Sequence, residues 1–296
     1  MQKANTEVFI IHSTKQTTKQ KQILAVHDIS CMGRCSLTVA LPVISAAGIT
    51  TSVLPTAVLS THTGGFTGYT YRDLTSDMLP IIDHWQSLPI TFDAIYTGYL
   101  GSQEQLNIVT ELISRLKSDL VIIDPVMADG GRLYSGFSSD FPKGMAQMCK
   151  KADVITPNIT EALLMIGEPP GSYHKGPYSQ KFIQEILEAI GQRTVLTGVY
   201  LSENEYGAAV YDHDSKEVHF SFAERVPGFY YGTGDLFSSV LTAALVKGRS
   251  LTQATDIAVR FTADSILRTY RAGADVMYGV NFEEGLAGLA GMIDCN

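Results

Sequence analysis

Four consecutive residues, Gly232-Thr233-Gly234-Asp235, are of the types needed for a phosphate-binding turn that also carries a base. The two glycines allow the backbone to turn tightly, and a helix that begins there presents unpaired N–H groups to an anion. Asp235 is then either a cap of that helix or a base that accepts a hydroxyl proton. Because Phe237 stands at the third glycine position and the turn comes late in the chain, a dinucleotide fingerprint is excluded.

Three further oxygen-bearing side chains could act with this turn. Asp124 follows an apolar run in Asp-Pro-Val-Met, while Asn158 and Glu161 lie three residues apart in Thr-Pro-Asn-Ile-Thr-Glu. That spacing is typical of a helix capping box, in which Asn158 is the N-cap and Glu161 the reciprocal partner. The alternative is a ligand role, because carboxylates combined with phosphates and waters suit Mg²⁺. From the residues alone, both interpretations of Asn158 and Glu161 stay open.

The elements that must position these residues alternate between strand and helix, which predicts a mostly parallel sheet covered on both faces. We expect strands at 23–26, 49–54, 94–97, 120–123, 154–156 and 194–197, with an antiparallel edge hairpin at 208–211 and 218–222. We expect helices at 36–47, 103–117 and 160–166, a loop at 59–70, and a helix with one buried stripe from Asp235. Ligands of such sheets bind at the carboxyl ends of the strands, where Asp28, Asp124, Asn158 and Thr197 stand.

Composition narrows the functional class. The chain has 296 residues, 22 Lys+Arg against 30 Asp+Glu, a net charge of −8 and 45% hydrophobic residues. These values predict a globular chain and argue against nucleic acid as a partner. No apolar run reaches the length of a membrane span, and the four cysteines (Cys31, Cys35, Cys149 and Cys295) suit a reducing, cytoplasmic setting. We expect residues 1–22 to be a disordered extension and 23–296 to be a single domain.

Taken in order, the motifs resemble the vitamin kinases of the ribokinase superfamily. The Gly-Thr-Gly-Asp turn, Asp-Pro-Val-Met and Thr-Pro-Asn-x-x-Glu carry that resemblance from about Ile23 to the C-terminal helices. The stretches at 59–64 (Leu-Ser-Thr-His-Thr-Gly) and 97–99 (Thr-Gly-Tyr) make it most similar to pyridoxal kinases. The resemblance implies a ribokinase-like three-layer α/β/α fold with a mostly parallel central sheet and an antiparallel edge. It also implies a homodimer.

The implied activity is ATP-dependent phosphorylation of the 5′-hydroxymethyl group of pyridoxal, pyridoxamine or pyridoxine. The resemblance makes Asp235 the catalytic base and residues 232–234 an anion hole, with 129–134 as a lid that has flexible points at Gly130 and Gly131. The implied substrate-binding residues are Asp28, His62, Thr63, Tyr99, Tyr134 and Asp235. The implied ATP-binding residues are Asp124, Asn158, Glu161, Thr197, Gly198 and Thr233. Asp124 and Glu161 would hold Mg²⁺, in part through water, and Thr156 would lie near a monovalent cation such as K⁺.

Asp28 departs from the pattern of the commonest pyridoxal kinases, which place a Ser after the first strand. The stretch His27-Asp28-Ile29-Ser30 is closer to hydroxymethylpyrimidine kinases. A carboxylate there suits a ring nitrogen or an amino group, although a cap at the strand end is an equally simple interpretation. The alternatives are therefore a hydroxymethylpyrimidine kinase, a dual-substrate enzyme, or, more remotely, a catalytically silent binding protein of the same fold.

Overall fold

The computed structural model describes residues 19–213 and 216–294. The strands are β1 (Gln22–Met32), β2 (Thr50–Thr61), β3 (Tyr71–Asp73), β4 (Phe92–Thr97), β5 (Ser118–Ile123), β6 (Ala128–Asp129), β7 (Arg132–Leu133), β8 (Val154–Ile155), β9 (Thr194–Val199), β10 (Glu205–Asp212) and β11 (Glu217–Glu224). The helices are α1 (Leu37–Ala46), α2 (Thr75–Gln86), α3 (Gln103–Arg115), α4 (Phe141–Cys149), α5 (Ile159–Met165), α6 (Gln180–Ile190), α7 (Thr233–Val246), α8 (Leu251–Ala272) and α9 (Leu286–Asp294).

Nine of these strands form one sheet in the order β11-β10-β9-β8-β5-β4-β1-β2-β3. The six strands from β9 to β2 in that order are parallel, and the hairpin of β10 and β11 is antiparallel, as predicted. The opposite edge carries a second antiparallel addition, β3, which pairs with β2 and was not predicted. A three-residue strand is too short to show a strand period in the sequence.

Helices cover both faces of the sheet. One hydrophobic cluster joins the sheet to α1, α7, α8 and α9, and a second joins it to α2, α3 and α4. Neighbouring residues of β1 alternate between the two clusters, because Ile23 packs in the first and Leu24 in the second. This double burial explains why the strand reads as a continuous apolar run. The predicted three-layer arrangement is confirmed.

Helix α7 differs from its prediction as an amphipathic helix with one buried stripe. Both the large residues of the stripe, such as Leu236 and Leu241, and the small residues Ser238, Ser239 and Ala243 are buried. The helix is covered by α1 and α8 as well as by the sheet, so small residues fill the faces between helices. The first turn of α7 lies at the carboxyl edge of the sheet, next to Arg34.

Several element ends also differ from the prediction. Strand β2 continues to Thr61, so the loop predicted for 59–70 begins three residues later, because Thr61 pairs with Met32 at the end of the long strand β1. The segment 129–134, which the resemblance implies to be a lid, overlaps a small hairpin of β6 and β7 at 128–133. Its turn residues Gly130 and Gly131 have φ of 57° and 80°, as a type I′ turn requires at both positions.

At the N-terminus, Gln22 already belongs to β1, and Lys21 forms an ion pair with Asp93 at 2.7 Å. Residues 1–18 of the predicted extension lie outside the described residues, as does Cys295. Cys31 is exposed and Cys35 and Cys149 are buried, all three as free thiols. In the part of the chain that the structure describes, no helix is long and apolar enough to cross a membrane.

Candidate active site

Four carboxylates from four different elements form a row at the carboxyl edge of the sheet. Asp28 lies on β1, Asp124 directly after β5, Glu161 in the first turn of α5, and Asp235 in the first turn of α7. Burial raises the carboxyl pKa of Asp235, Asp124 and Glu161, and repulsion from a neighbouring carboxylate adds to each rise. Asp28 acts on Asp235, Asp235 on Asp124, and Asp124 on Glu161. The structure thus brings together the acidic residues that the sequence singled out.

The first turn of α7 is open. Its N-cap residue is Gly232, and no side chain makes a capping hydrogen bond there. Gly232 has a φ of 70°, and a Cβ on it would stand 2.0 Å from the Arg34 carbonyl oxygen, so only glycine fits. Gly234 has no such constraint, since nothing lies within 4 Å of where its Cβ would be. The packing of the protein therefore demands one glycine, while the other leaves free space in front of the helix end.

Asp235 stands at this open turn with an unusual acidity. Burial raises its carboxyl pKa to about 7, repulsion from Asp28 adds to the rise, and a hydrogen bond from the Ser36 backbone N–H opposes it. A carboxyl with a pKa near neutrality is matched to accept a proton and release it again. The simple interpretation of Asp235 as a helix cap is not observed, because α7 has no side-chain cap.

Asp124 is held by a side chain of the same helix, α7. The Ser238 hydroxyl donates to an Asp124 carboxylate oxygen at 2.9 Å, and Thr156 shares a hydrogen bond with Ser238 at 3.0 Å. Burial and repulsion from Asp235 raise the Asp124 pKa to about 8. The Thr156 hydroxyl, predicted to lie near a monovalent cation, thus belongs to the network that orients Asp124, and the cation itself stays a prediction.

Glu161 and Asn158 form the predicted capping box at the start of α5. The Asn158 Oδ1 accepts from the Glu161 backbone N–H at 3.0 Å, and Glu161 Oε2 accepts from the Asn158 N–H at 2.9 Å. Glu161 Oε1 also accepts from the N–H of Met127 at 3.0 Å, which ties α5 to the segment entering the β6–β7 hairpin. Burial and the nearby Asp124 raise the Glu161 pKa, and the three backbone donors counteract this.

A second group of residues surrounds Asp28, at the end of the site nearest β3. Asp28 lies within β1, next to a register shift against β2, and accepts from the hydroxyls of Ser30 at 3.0 Å and Ser36 at 2.5 Å. Burial raises its pKa, which these two hydroxyls oppose. The Tyr99 hydroxyl lies close enough to feel this charge and shares a hydrogen bond with Tyr71, a residue that the sequence did not indicate.

His62 and Thr63 follow β2 on the same side. The Nε2 of His62 lies 2.7 Å from the Met277 carbonyl oxygen, which assigns the proton to that nitrogen, and the ring packs against Tyr231. Thr63 is half-buried beside it. Tyr134 follows the β6–β7 hairpin, and its hydroxyl pKa is raised by burial and by the neighbouring carboxylates, Glu161 foremost. Of the predicted ring-side residues, His62, Tyr99 and Tyr134 therefore lie near the carboxylate row.

The predicted nucleotide residues of β9 lie at the opposite end of the row. Thr197 donates through its backbone N–H and its hydroxyl to the Pro157 carbonyl oxygen, at 2.8 and 3.3 Å. Gly198 follows with a φ of 74°. Beyond it, the β9–β10 turn and the end of β11 border a cavity of about 510 Å³ lined by Glu203, Asn204, Glu224, Arg225, Pro227 and Gly228. The Thr233 hydroxyl donates back to the Tyr230 carbonyl oxygen at 3.3 Å, and its ATP-binding role stays a prediction.

The site also contains residues that sequence reasoning missed. Ser238 lies one helical turn after Asp235 and thus on the same face, a spacing that could have indicated it. Ser36 contacts both Asp28 and Asp235, yet nothing local in the sequence marks it. His27, although buried beside the site, packs its ring on Tyr96 and against Gly98, and burial lowers its pKa to about 3. We therefore assign His27 to the core.

The chemistry of the row suits a cation bound together with an anionic ligand. Within residues 19–213 and 216–294, no three His, Cys, Asp or Glu side chains converge enough to hold a metal by themselves. The ion pairs of that part of the chain do not include Asp124 or Glu161. Two adjacent buried carboxylates without a basic partner fit Mg²⁺ whose remaining ligands are phosphates and waters.

Comparison with known proteins decides the family. The sequence profile of the family described as phosphomethylpyrimidine kinase matches residues 41–279, which is most of the chain. The chain belongs to the phosphomethylpyrimidine kinase family. The matched range contains the four residues of the glycine turn at 232–235, Asp124 and the capping box of α5. The resemblance that the motifs indicated is thereby confirmed.

Proteins similar to this chain include kinases named for phosphomethylpyrimidine and for pyridoxal. A Bacteroides thetaiotaomicron protein assigned as a phosphomethylpyrimidine kinase is 38% identical with a TM-score of 0.85, covers 92% of this chain and 96% of its own, and was crystallised with pyridoxal. Pyridoxal kinase from Lactobacillus plantarum is 31% identical with a TM-score of 0.84, at 93% and 98% coverage. A Bordetella avium pyridoxine/pyridoxal/pyridoxamine kinase is 28% identical over 267 residues, 83% of this chain and 85% of its own.

Proposed function

We propose that this kinase transfers the γ-phosphoryl group of ATP to the 5′-hydroxymethyl group of pyridoxal, pyridoxamine or pyridoxine. The observation that carries the proposal is a base with a pKa near neutrality, Asp235, placed in the open first turn of α7. The relatives support the substrate class, because one of similar sequence was crystallised with pyridoxal and another is a kinase of all three B6 vitamers.

In the proposed reaction, the Asp235 carboxylate accepts the proton of the hydroxymethyl O–H as its oxygen attacks the γ-phosphorus. The bond between that phosphorus and the β,γ-bridging oxygen breaks, and ADP leaves with its electron pair. A positioned base typically accelerates such a step by about 10²–10⁴-fold. The remaining catalysis comes from positioning and from neutralising charge, because phosphoryl transfer needs little covalent help from the protein.

The open end of α7 supplies the anion hole. The N–H groups of residues 233–235 have no side-chain cap, and the space beside Gly234 leaves room for a phosphoryl oxygen. The helix dipole adds a modest attraction of about 0.3–1 kcal/mol. Asp124, with Glu161 acting through water, would hold the Mg²⁺ that accompanies ATP and neutralises its phosphate oxygens. The Ser238 hydroxyl orients Asp124 for that role.

We place the nucleotide along β9. Thr197 and Gly198 lie near the end of β9, and the β9–β10 turn that follows contributes Glu203 and Asn204 to the cavity of about 510 Å³. Arg225 borders that cavity, lies 4.9 Å from the Tyr200 ring centroid and pairs with Glu203. Across the row, the β6–β7 hairpin is the proposed lid, anchored where the Gly131 N–H donates to the Thr160 hydroxyl. Closing it would exclude water from the phosphoryl group.

A hydroxymethylpyrimidine kinase, or an enzyme for both vitamins, is the second candidate. The observation in its favour is Asp28, a buried carboxylate whose hydrogen-bond donors are the hydroxyls of Ser30 and Ser36. An exocyclic amino group would donate to this carboxylate, and an aminopyrimidine carries such a group. Within the B6 vitamers, the same preference would favour pyridoxamine. Tyr99 and His62 would line either ring.

The test is turnover of the purified full chain with MgATP and each candidate alcohol in parallel, with products identified by mass. We expect phosphorylation of at least one B6 vitamer. Turnover of the aminopyrimidine alone would establish the second candidate, and absence of any turnover would contradict the kinase proposal and favour a silent binding protein. The homodimer, K⁺ and the cytoplasmic location remain predictions.

The role of Asp28 has its own test in the Asp28→Ser variant. Serine retains a polar group but removes the charge, so the order of kcat/KM among pyridoxal, pyridoxamine and the aminopyrimidine should change in favour of pyridoxal. Asp264→Asn, an exposed position on α8, is the matched loss of a carboxylate away from the site. An unchanged order in Asp28→Ser would show that this carboxylate does not select the substrate.

A further inference from the structure

Ser36 has a backbone conformation that serine rarely adopts. It precedes α1 as the N-cap residue, with φ 53° and ψ −129°, a region that favours glycine. A serine at an N-cap normally uses its hydroxyl to bind a free N–H of the helix, but here the side chain makes no capping bond. Ser36 therefore destabilises the folded protein in two ways, through its strained backbone and through the missing cap of α1.

The hydroxyl and the backbone N–H of Ser36 are instead used by two carboxylates of the site. The hydroxyl donates to Asp28 Oδ1 at 2.5 Å, and the N–H donates to the Asp235 carboxylate. Ser36 is itself 7% exposed, so water competes little for either bond. One buried residue thus connects the carboxylate on the ring side with the carboxylate proposed as the base.

We propose that Ser36 is a positioning residue that couples ring recognition to proton abstraction, by fixing Asp28 with its hydroxyl and Asp235 with its backbone N–H. This inference rests on the proposed function, because it needs a ring substrate at Asp28 and a base at Asp235. Strained backbone at a buried site persists where the surrounding structure holds it in place, and such outliers cluster at functional sites. The neighbouring packing does hold it, since the Arg34 N–H donates to the Tyr278 carbonyl oxygen at 2.9 Å.

The two contacts of Ser36 can be separated by two substitutions. Ser36→Ala removes the hydroxyl but keeps a Cβ that restricts the backbone, so Asp28 loses a donor while the N–H stays directed at Asp235. Ser36→Gly removes the same hydroxyl and also frees the backbone, because glycine adopts this region and many others at little cost. The alanine variant therefore tests the Asp28 contact alone, and the glycine variant tests both contacts.

We expect Ser36→Ala to raise KM for the ring substrate about tenfold, the effect of one lost hydrogen bond to a charged group, with kcat within about threefold of native. Ser36→Gly should show the same KM and, in addition, a kcat lower by about tenfold because the base is no longer held. KM for ATP should stay unchanged in both. Ser36→Gly should nevertheless be at least as resistant to heat as Ser36→Ala, because glycine relieves the strain.

We thus expect Ser36→Gly to be the more stable of the two variants and to have the lower kcat. A merely structural role of Ser36 would instead give the more stable variant the higher kcat. Ser45, exposed on α1, provides the matched control. Ser45→Gly should be less stable than Ser45→Ala, as is usual inside a helix, with native KM and kcat. Because glycine accepts the Ser36 backbone without strain, the glycine variant keeps the test decisive even where the alanine variant fails to fold.

Two results would overturn the inference alone, given a native chain that turns over a ring substrate. One is a KM for that substrate within twofold of native in both variants. The other is a kcat of Ser36→Gly within about threefold of native. A native chain without turnover on any candidate alcohol would instead refute the proposed function, and the coupling would fall with it.

Discussion

Two helices begin at the carboxylate row, and their N-termini are built in opposite ways. At α5, the Asn158 and Glu161 side chains satisfy each other's backbone N–H groups, and Glu161 also binds the N–H of Met127. At α7, the N-cap is Gly232, no side chain caps the helix, and the space beside Gly234 is free. Both helices carry the same partial positive charge at this end, but only α7 leaves it accessible.

This contrast between the two helix ends indicates how an acidic chain can accept an anion. A closed helix end holds its neighbours in place, and α5 does so by fixing the segment that leads into the β6–β7 hairpin. An open helix end stays unsatisfied until a ligand supplies the acceptor. We therefore interpret the α5 end as a support of the site and the α7 end as the part that receives the phosphoryl group.

The largest effect should follow from Asp235→Asn at the open end. The variant keeps the size of the side chain but cannot accept a proton, so kcat should fall by about 10²–10⁴-fold while the fold is retained. Steady-state kinetics with MgATP and circular dichroism measure the two quantities. Asp264→Asn on the exposed face of α8 is the control and should keep native kcat. Near-native turnover in Asp235→Asn would show that the base lies elsewhere.

Gly234→Ala should produce the next largest effect, a decrease of about 10- to 100-fold in kcat/KM for ATP. The added methyl group meets no protein atom, but it would fill the space that we assign to a phosphoryl oxygen. Stability should stay the same or rise by up to about 1 kcal/mol, because alanine is the better helix residue. Kinetics and thermal melting of one preparation give both values.

Gly232→Ala provides the contrast to that variant. Its left-handed φ and the Arg34 carbonyl oxygen at 2.0 Å from the new Cβ should make it destabilised as well as slow. A Gly234→Ala enzyme with native kcat/KM for ATP would mean that the open end of α7 does not bind phosphate. The structural difference between α5 and α7 would then have no functional consequence.

At the closed end, Asn158→Ala should mainly cost stability. Loss of the cap predicts about 0.5–2 kcal/mol in the free energy of unfolding, measured by urea denaturation. The bond from the Asn158 side-chain N–H to the Ala128 carbonyl oxygen would be lost too, which loosens the hairpin. We expect kcat to change less than in Gly234→Ala. A larger loss of kcat with unchanged stability would instead support the direct nucleotide role that the resemblance implies for Asn158.

The features that the sequence predicted correctly depend on residues that are close to one another along the chain. Strands β4 and β5 were expected at 94–97 and 120–123, and each starts two residues earlier and ends at the expected residue, because strands buried on both faces appear as apolar runs. The capping box of α5 is equally local, since its two side chains are three residues apart. The row of carboxylates was predictable because strand ends meet at one edge of a parallel sheet.

Contacts between distant segments could not be predicted in this way. Ser238 lies 114 residues from the Asp124 that it holds, and Tyr71 reaches Tyr99 only because β3 folds back beside β2. The backbone of Ser36 is set by the packing of Arg34 against two other segments, so no property of the serine itself reveals it. The complete burial of α7 likewise depends on α1 and α8, which its own periodicity does not report.

The smallest predicted effect is a pH dependence of thermal stability, and it arises from Asp235 at the open end of α7. Burial raises the Asp235 pKa to about 7, whereas an unfolded Asp has a pKa of about 3.9, so the folded chain holds the proton more tightly. The stability from this group is thus fully present below about pH 4 and is lost as the pH rises through about 7. Asp235→Asn stays neutral, so its Tm should match the native Tm below about pH 4 and exceed it at pH 8 by at least about 2–4 °C, with Asp264→Asn as control. A native chain that melts above Asp235→Asn at pH 8 would show that the Ser36 N–H and the α7 dipole already compensate the charge, and that the end is less open than its geometry indicates.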